Sequence, residues 1–164
     1  MNNDIAKLVE IHMSFAKASG LWIESGVSKY IDKNGLDHTL TEHNGKEFAK
    51  VQHTRKYEGF EKLMPHAKEW CETEAEKHGH KGLVTAHIFD ASADAASFPS
   101  HTDPVDVLIY CTHGLKTMVV ANRRHILSPG ETLFIPANTP HHATNIFDST
   151  IVSIGFEKWM YELT

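Results

Sequence analysis

Residues 128–142 read SPGETLFIPANTPHH, and their pattern of turns, apolar residues and histidines indicates the type of fold. A Pro-Gly turn leads into the short apolar run Thr132–Ile135, which is typical of a β-strand. A proline-rich bend follows and brings two histidines, His141 and His142, to the start of the next extended segment. The stretch therefore predicts antiparallel strands joined by tight turns, with polar side chains placed at a strand end.

The same pattern of short apolar runs and turn residues extends through the second half of the chain. Short runs rich in β-branched and aromatic residues, separated by Gly, Pro, Asn and Asp, cover residues 83–89, 105–111, 117–121, 132–135 and 150–156. The connections are too short to hold helices, so a doubly wound parallel sheet is excluded. The pattern favours a mainly β (α+β) fold with an antiparallel sandwich, barrel or jelly roll.

The first half of the chain has a different pattern. An apolar stripe predicts an amphipathic helix over residues 4–19, which Gly20 would end. A second helix is predicted over residues 65–78, because proline suits a first helical turn and glycines follow. We expect residues 1–82 to form a helical and irregular part with one or two added strands, and its helices to pack on the outside of the β core.

Length and composition restrict the class of protein. The chain has 164 residues, of which 41% are hydrophobic and 23% charged, so we predict a single globular domain over residues 1–164. A net charge of −5 disfavours nucleic acid as a partner. The sequence holds neither a long uncharged apolar run nor a basic N-terminal leader, which predicts no membrane segment and a cytoplasmic protein. Two cysteines without CxxC spacing argue against a disulfide scaffold or a cysteine zinc site.

Thirteen histidines raise the question of a metal. His101 and Asp103 are two apart, so in an extended chain both side chains lie on one side. His141 lies 38 residues beyond Asp103, which is enough chain to return across a sheet to the same rim. We favour His141 over His142 as the third ligand, since adjacent strand residues face opposite sides. Two imidazoles and one carboxylate with open positions form the triad that suits non-haem Fe(II).

Taken together, these motifs resemble the cupin superfamily, and more narrowly the JmjC-like or cupin-like Fe(II)/2-oxoglutarate hydroxylases, which include ribosomal oxygenases and asparaginyl hydroxylases. The resemblance covers residues 83–157. Its first block is SFPSHTDPVDVLIYCTHGLK at residues 97–116, and its second runs from PGETLFIP to PHH at 129–142 and ends in VSIGF at 152–156. The resemblance implies a double-stranded β-helix, or jelly roll, with its metal site in this region.

The resemblance also implies roles for individual residues. In the family, the His and Asp of the His-x-Asp motif and the later His hold iron, which corresponds to His101, Asp103 and His141 here. Lys116 matches the lysine that in several members binds the distal carboxylate of 2-oxoglutarate. An ordinary cupin would instead show His-x-His followed by a glutamate, whereas this chain has Asp103 and Val107 at those positions. The common four-ligand cupin site is therefore not expected.

The chemistry follows from the number of ligands. Fe(II) held by three side chains keeps three positions open, of which 2-oxoglutarate can take two and dioxygen one. The far carboxylate then needs a cation, which Lys116 would supply, and Thr85, Thr112 or Tyr110 would add a hydroxyl depending on which way each strand faces. We therefore predict an Fe(II)/2-oxoglutarate-dependent dioxygenase that hydroxylates a small molecule or a protein side chain.

Two other functions stay open at this point. The first is a different metal-dependent cupin enzyme that acts on a small molecule without 2-oxoglutarate. The second is a non-catalytic cupin that binds a ligand. The sequence specifies no substrate, and it leaves a homodimer open.

Overall fold

The computed structural model describes residues 2–19, 28–31, 37–39, 54–63, 65–95, 97 and 100–158. Within these residues the helices are α1 (Asn2–Ser19), α2 (Phe60–Leu63) and α3 (Pro65–Glu76). The strands are β1 (Ser28–Ile31), β2 (Asp37–Thr39), β3 (Thr54–Glu58), β4 (Val84–Ala91), β5 (Val107–Gly114), β6 (Lys116–Val120), β7 (Arg123–Leu127), β8 (Thr132–Ile135), β9 (His141–Ala143) and β10 (Ser149–Phe156). No helix in this part of the chain is long and apolar enough to cross a membrane.

The strands form two antiparallel sheets. The larger sheet has seven strands in the order β2-β1-β3-β4-β10-β5-β8, and the smaller has three in the order β7-β6-β9. Apolar side chains from both sheets form one buried cluster, in which Ile109 and Ile151 of the larger sheet accompany Met118 and Leu127 of the smaller. Two antiparallel sheets packed face to face confirm the predicted mainly β, jelly-roll fold.

The helices cover the other face of the larger sheet. A second buried cluster joins α1, α2 and α3 to the sheet through residues such as Val9, Phe60, Ala67, Leu108 and Ile154. Strand alternation explains why one sheet has two such faces, since successive side chains point to opposite sides. The helices therefore pack on the outside of the β core, as the sequence predicts.

The register between β4, β10 and β5 aligns the side chains that face the smaller sheet in cross-strand rows. These rows are Thr85–Gly155–Val107, His87–Ser153–Ile109 and Phe89–Ile151–Cys111. On the β3 side, Lys56 lies opposite Phe89 and extends the last row. The interior of the β core is thus lined in layers that run from the start of β4 towards its end.

Several local expectations need correction. The described part of residues 1–82 holds three strands, β1, β2 and β3, where the sequence predicts one or two. The helix predicted over 65–78 ends at Glu76. Gly20, expected to end α1, and Phe98 and Pro99 of the first motif block lie outside the described residues.

Candidate functional site

His101 and His141 are joined by their own main chains. The amide of His101 donates to the carbonyl of His141 at 3.1 Å, and the amide of His141 donates back at 2.9 Å. This isolated antiparallel bridge places the two rings side by side, with centroids 4.4 Å apart. Residues 40 positions apart therefore present their imidazoles to one point, because the bend after β8 returns the chain beside residue 101.

Asp103 completes the cluster. Its Oδ2 lies 3.1 Å from Nε2 of His141 and 4.0 Å from Nε2 of His101. Its main-chain carbonyl accepts a hydrogen bond from the amide of Asn138 at 2.8 Å, which ties the His-x-Asp segment to the bend that carries His141. One ligand atom from each of the three side chains lies within 4.8 Å of the others. The structure therefore brings together the three residues proposed as ligands.

The protonation of His141 also suits a metal. Its Nδ1 lies 2.9 Å from the carbonyl oxygen of Thr139, so Nδ1 carries the proton and donates it there. In the neutral ring the lone pair then lies on Nε2, which faces Asp103. A carbonyl that fixes the tautomer of a ligating histidine is the usual supporting contact in metal sites. The donor set, two imidazole nitrogens and one carboxylate, thus fits a divalent ion such as Fe(II).

Two neighbouring polar residues lie outside this cluster. The carboxylate of Asp106 accepts a hydrogen bond from the amide of Ala137 at 2.7 Å and so stabilises the bend after β8. His142 follows His141 on β9 and lines the adjoining cavity, but it does not belong to the group of converging ligand atoms.

The cluster opens into a cavity of about 320 Å³ between the two sheets. Its walls are apolar at Val107, Ile109, Met118 and Ile151. Apolar walls exclude water and strengthen electrostatic interactions with any ligand inside.

Lys116 lines the same cavity and is only 1% exposed. Its Nζ donates a hydrogen bond to Oδ1 of Asn145 at 3.0 Å. The side-chain nitrogen Nδ2 of Asn145 in turn donates to the hydroxyl of Thr54 at 3.1 Å and to the carbonyl of Ala95 at 3.0 Å. Burial lowers the pKa of Lys116 to about 8, so most of the ammonium stays charged at neutral pH.

The three residues proposed to add a hydroxyl do not lie together. Thr85 lines the cavity, and its Oγ1 donates to Oε2 of Glu157 at 2.9 Å. Tyr110 lies on the helix side of β5, with its ring edge-on to Trp70 at 4.8 Å. Thr112 is buried and donates to the carbonyl of Thr150 at 3.1 Å. Since residues 107, 109 and 111 of β5 face the smaller sheet, positions 110 and 112 face away from the cavity, which corrects their expected placement.

The sequence-based reasoning missed other polar residues at the cavity. Glu157 continues the inward alternation of β10 at positions 151, 153 and 155, so the strand pattern offered a signal for it. Lys56 and Asn145 gave no local signal, because long-range packing alone brings them to the site.

Part of the chain is similar to known proteins. The sequence model described as "Cupin domain" matches residues 88–154, and no curated protein matches the chain. KdgF from a Halomonas species is 21% identical with a TM-score of 0.42, over 48% of this chain and 74% of that chain. A cupin superfamily protein from Desulfitobacterium hafniense is 19% identical with a TM-score of 0.42, over 48% and 71%. The DMSP lyase DddQ from Ruegeria pomeroyi is 17% identical with a TM-score of 0.42, over 46% and 39%.

The matched segment takes in the converging residues and both sheets. It begins within β4, ends within β10, and contains His101, Asp103, Lys116 and His141. The sequence of residues 88–154 is thus similar to a cupin domain, and the strands of this segment have the topology expected of a jelly roll.

Proposed function

We propose that this protein is an Fe(II)- and 2-oxoglutarate-dependent oxygenase that hydroxylates a small molecule or a protein side chain. One observation carries the proposal. A buried ammonium, that of Lys116, lines the same apolar cavity as the cluster of His101, Asp103 and His141.

His101, Asp103 and His141 would hold the metal. Fe(II), when bound there, supplies the activation of dioxygen, with 2-oxoglutarate as the source of electrons. Thr139 keeps the Nδ1 proton of His141 in place, so Nε2 is the nitrogen available for coordination.

Lys116 would hold the far carboxylate of 2-oxoglutarate. An ammonium can donate about three hydrogen bonds, and within the described residues Nζ donates one, to Asn145. Burying a cation costs stability unless anionic or dipolar groups surround it. The depressed pKa of Lys116 reflects that cost, and a carboxylate in the cavity would offset it with a charge-assisted hydrogen bond.

The test is 2-oxoglutarate binding by protein loaded with Mn(II) and kept free of oxygen. We expect Lys116→Met to weaken this binding by about 30-fold or more, because the far carboxylate would then be desolvated and unpaired. Lys62→Met, at an exposed lysine of α2, serves as the matched control and should change nothing. Mn(II) affinity and circular dichroism, measured on each variant, show whether fold and metal site are intact.

Equal affinities of wild type and Lys116→Met would remove Lys116 from the mechanism. Failure of both proteins to bind 2-oxoglutarate would favour a second function, that of a metal-dependent cupin enzyme acting on a small molecule without this cosubstrate. The contact between Lys116 and Asn145 supports that alternative, since it already supplies the ammonium with one partner. A protein that bound no metal would instead act as a non-catalytic ligand-binding cupin.

A further inference from the structure

Glu157 lies at the end of the cavity where β4 begins and β10 ends. Its amide donates to the carbonyl of Leu83 at 3.1 Å, which holds the main chain beside the sheet. Its carboxylate oxygen Oε2 accepts the Thr85 hydroxyl at 2.9 Å. The carboxylate is therefore held in place on the interior side of the sheet.

Gly155 makes room for this pair. A Cβ at this position would lie 2.8 Å from Oγ1 of Thr85 and 3.1 Å from Oε2 of Glu157. It would also lie 3.8 Å from Cγ2 of Val105, two residues after Asp103. A glycine inside a strand often marks a close approach of other groups. Here it lets the Thr85–Glu157 pair lie across the strand, next to the segment that carries the proposed metal ligands.

The charge of Glu157 is not balanced by the lysines of the cavity. Lys56 lies opposite Phe89, four residues along β4 from Thr85, which is about 13 Å of strand. Its Nζ lies 3.9 Å from Glu58 and 5.9 Å from the centre of the Phe89 ring. Lys116 is hydrogen-bonded to Asn145, which precedes β10 at the opposite end from Glu157.

The carboxylate of Glu157 also has hydrogen-bonding capacity to spare. A carboxylate can accept about four hydrogen bonds. Within the described part of the chain, the Thr85 hydroxyl supplies the one hydrogen bond that this carboxylate receives. A fixed anion beside apolar walls binds a cationic donor more strongly than a neutral one, because the charge-assisted bond gains from the low local dielectric.

We propose that Glu157, held by Thr85 across Gly155, binds the ammonium group of the substrate, which would make the substrate an alkyl amine or an amine-bearing side chain. This inference rests on the proposed function, since it names the compound class that the oxygenase would hydroxylate. The apolar walls at Val107 and Ile109 would contact the alkyl part.

The test compares two probes of the same length, pentylammonium and 1-pentanol. Their dissociation constants are measured by saturation-transfer NMR on protein loaded with Zn(II), a redox-inert substitute for Fe(II), with and without 2-oxoglutarate. Wild type is expected to bind pentylammonium about 10-fold or more tightly than pentanol. Glu157→Gln keeps the shape and an acceptor for Thr85 but removes the charge, and should abolish this preference. Glu69→Gln, at an exposed glutamate of α3, is the matched control and should retain it.

Three results would overturn the inference: equal binding of the two probes by wild type, no pentylammonium binding, or an unchanged preference in Glu157→Gln. The samples without 2-oxoglutarate show whether amine binding fails by itself or whether the proposed oxygenase function fails. An amine preference that depends on Glu157 in a protein that ignores 2-oxoglutarate would support the ammonium site and reject the oxygenase.

Discussion

The two faces of the seven-stranded sheet belong to the same strands but carry different side chains. On the helix side of β4, β5 and β10, most of the buried residues are apolar, such as Ile88, Leu108 and Ile154. On the cavity side, the alternate positions of β4 and β10 include polar residues such as Thr85 and Ser153. Because side chains alternate along a strand, each strand contributes to a packed core on one face and to a reactive cavity on the other.

The helix side of the sheet therefore contributes mainly to stability, and the cavity side mainly to binding and chemistry. Close packing against helices makes the first face intolerant of lost volume. The second face borders an open space of about 320 Å³, so its residues are less constrained by neighbours. Variation on the cavity side should therefore change binding more than folding.

The largest effect is expected on the helix side. Leu108 is fully buried there, so Leu108→Ala should lower the free energy of unfolding by about 2–5 kcal/mol through lost burial and the cavity left behind. Ile109→Ala, at the next residue, removes similar volume from the cavity side and should cost less. Urea denaturation of both variants measures the difference. A larger cost at Ile109 would contradict the contrast between the two faces.

A buried histidine on the helix side should make the stability of the protein depend on pH. His12 of α1 is fully buried on the helix side, edge-on to Phe60 and Tyr57, and burial lowers its pKa to about 4. Below about pH 6.5 His12 is protonated in the unfolded chain, whereas in the folded chain it stays neutral down to about pH 4. Stability should therefore fall across this window by roughly 3 kcal/mol. His12→Leu should lose less stability than wild type between pH 7 and pH 4, as measured by urea denaturation at each pH. Parallel pH profiles would show that His12 is not responsible.

The smallest change in free energy is expected for a substitution in the metal cluster at the cavity. Asp103→Ala should reduce Mn(II) affinity by at least about 10-fold, measured by isothermal calorimetry, since it removes the carboxylate of the three-residue cluster. It should leave unfolding by urea nearly unchanged, because Asp103 is partly exposed and packs on no core. Asp94→Asn, at an exposed aspartate outside the cavity, provides the control. Unaltered Mn(II) binding in Asp103→Ala would reject this site.

Most strands of the second half could be predicted because their patterns are local. The turn, the apolar run and the bend around Thr132–Ile135 predict a strand with the same first and last residues as β8 in the structure. The exception is β7 (Arg123–Leu127), which none of the predicted strand runs covers. Ala121 and Asn122 both have positive φ, at 48° and 67°, and form a two-residue turn that pairs Arg123 with Val120. Neither residue is glycine, so the turn lacks its usual sequence signal.

The residue types of the candidate metal cluster, and the alternation of side chains that builds a jelly roll, are visible in the sequence. His-x-Asp and the histidine after a proline-rich bend are local patterns, and their donor atoms already suit a divalent ion. Which hydroxyls and charges reach the cavity is visible only in the folded protein, because it depends on strand pairing and on packing between distant segments. Strand pairing turns Thr85 inward and Tyr110 outward, and packing of the β9–β10 connection brings Asn145 to Lys116 from 29 residues away.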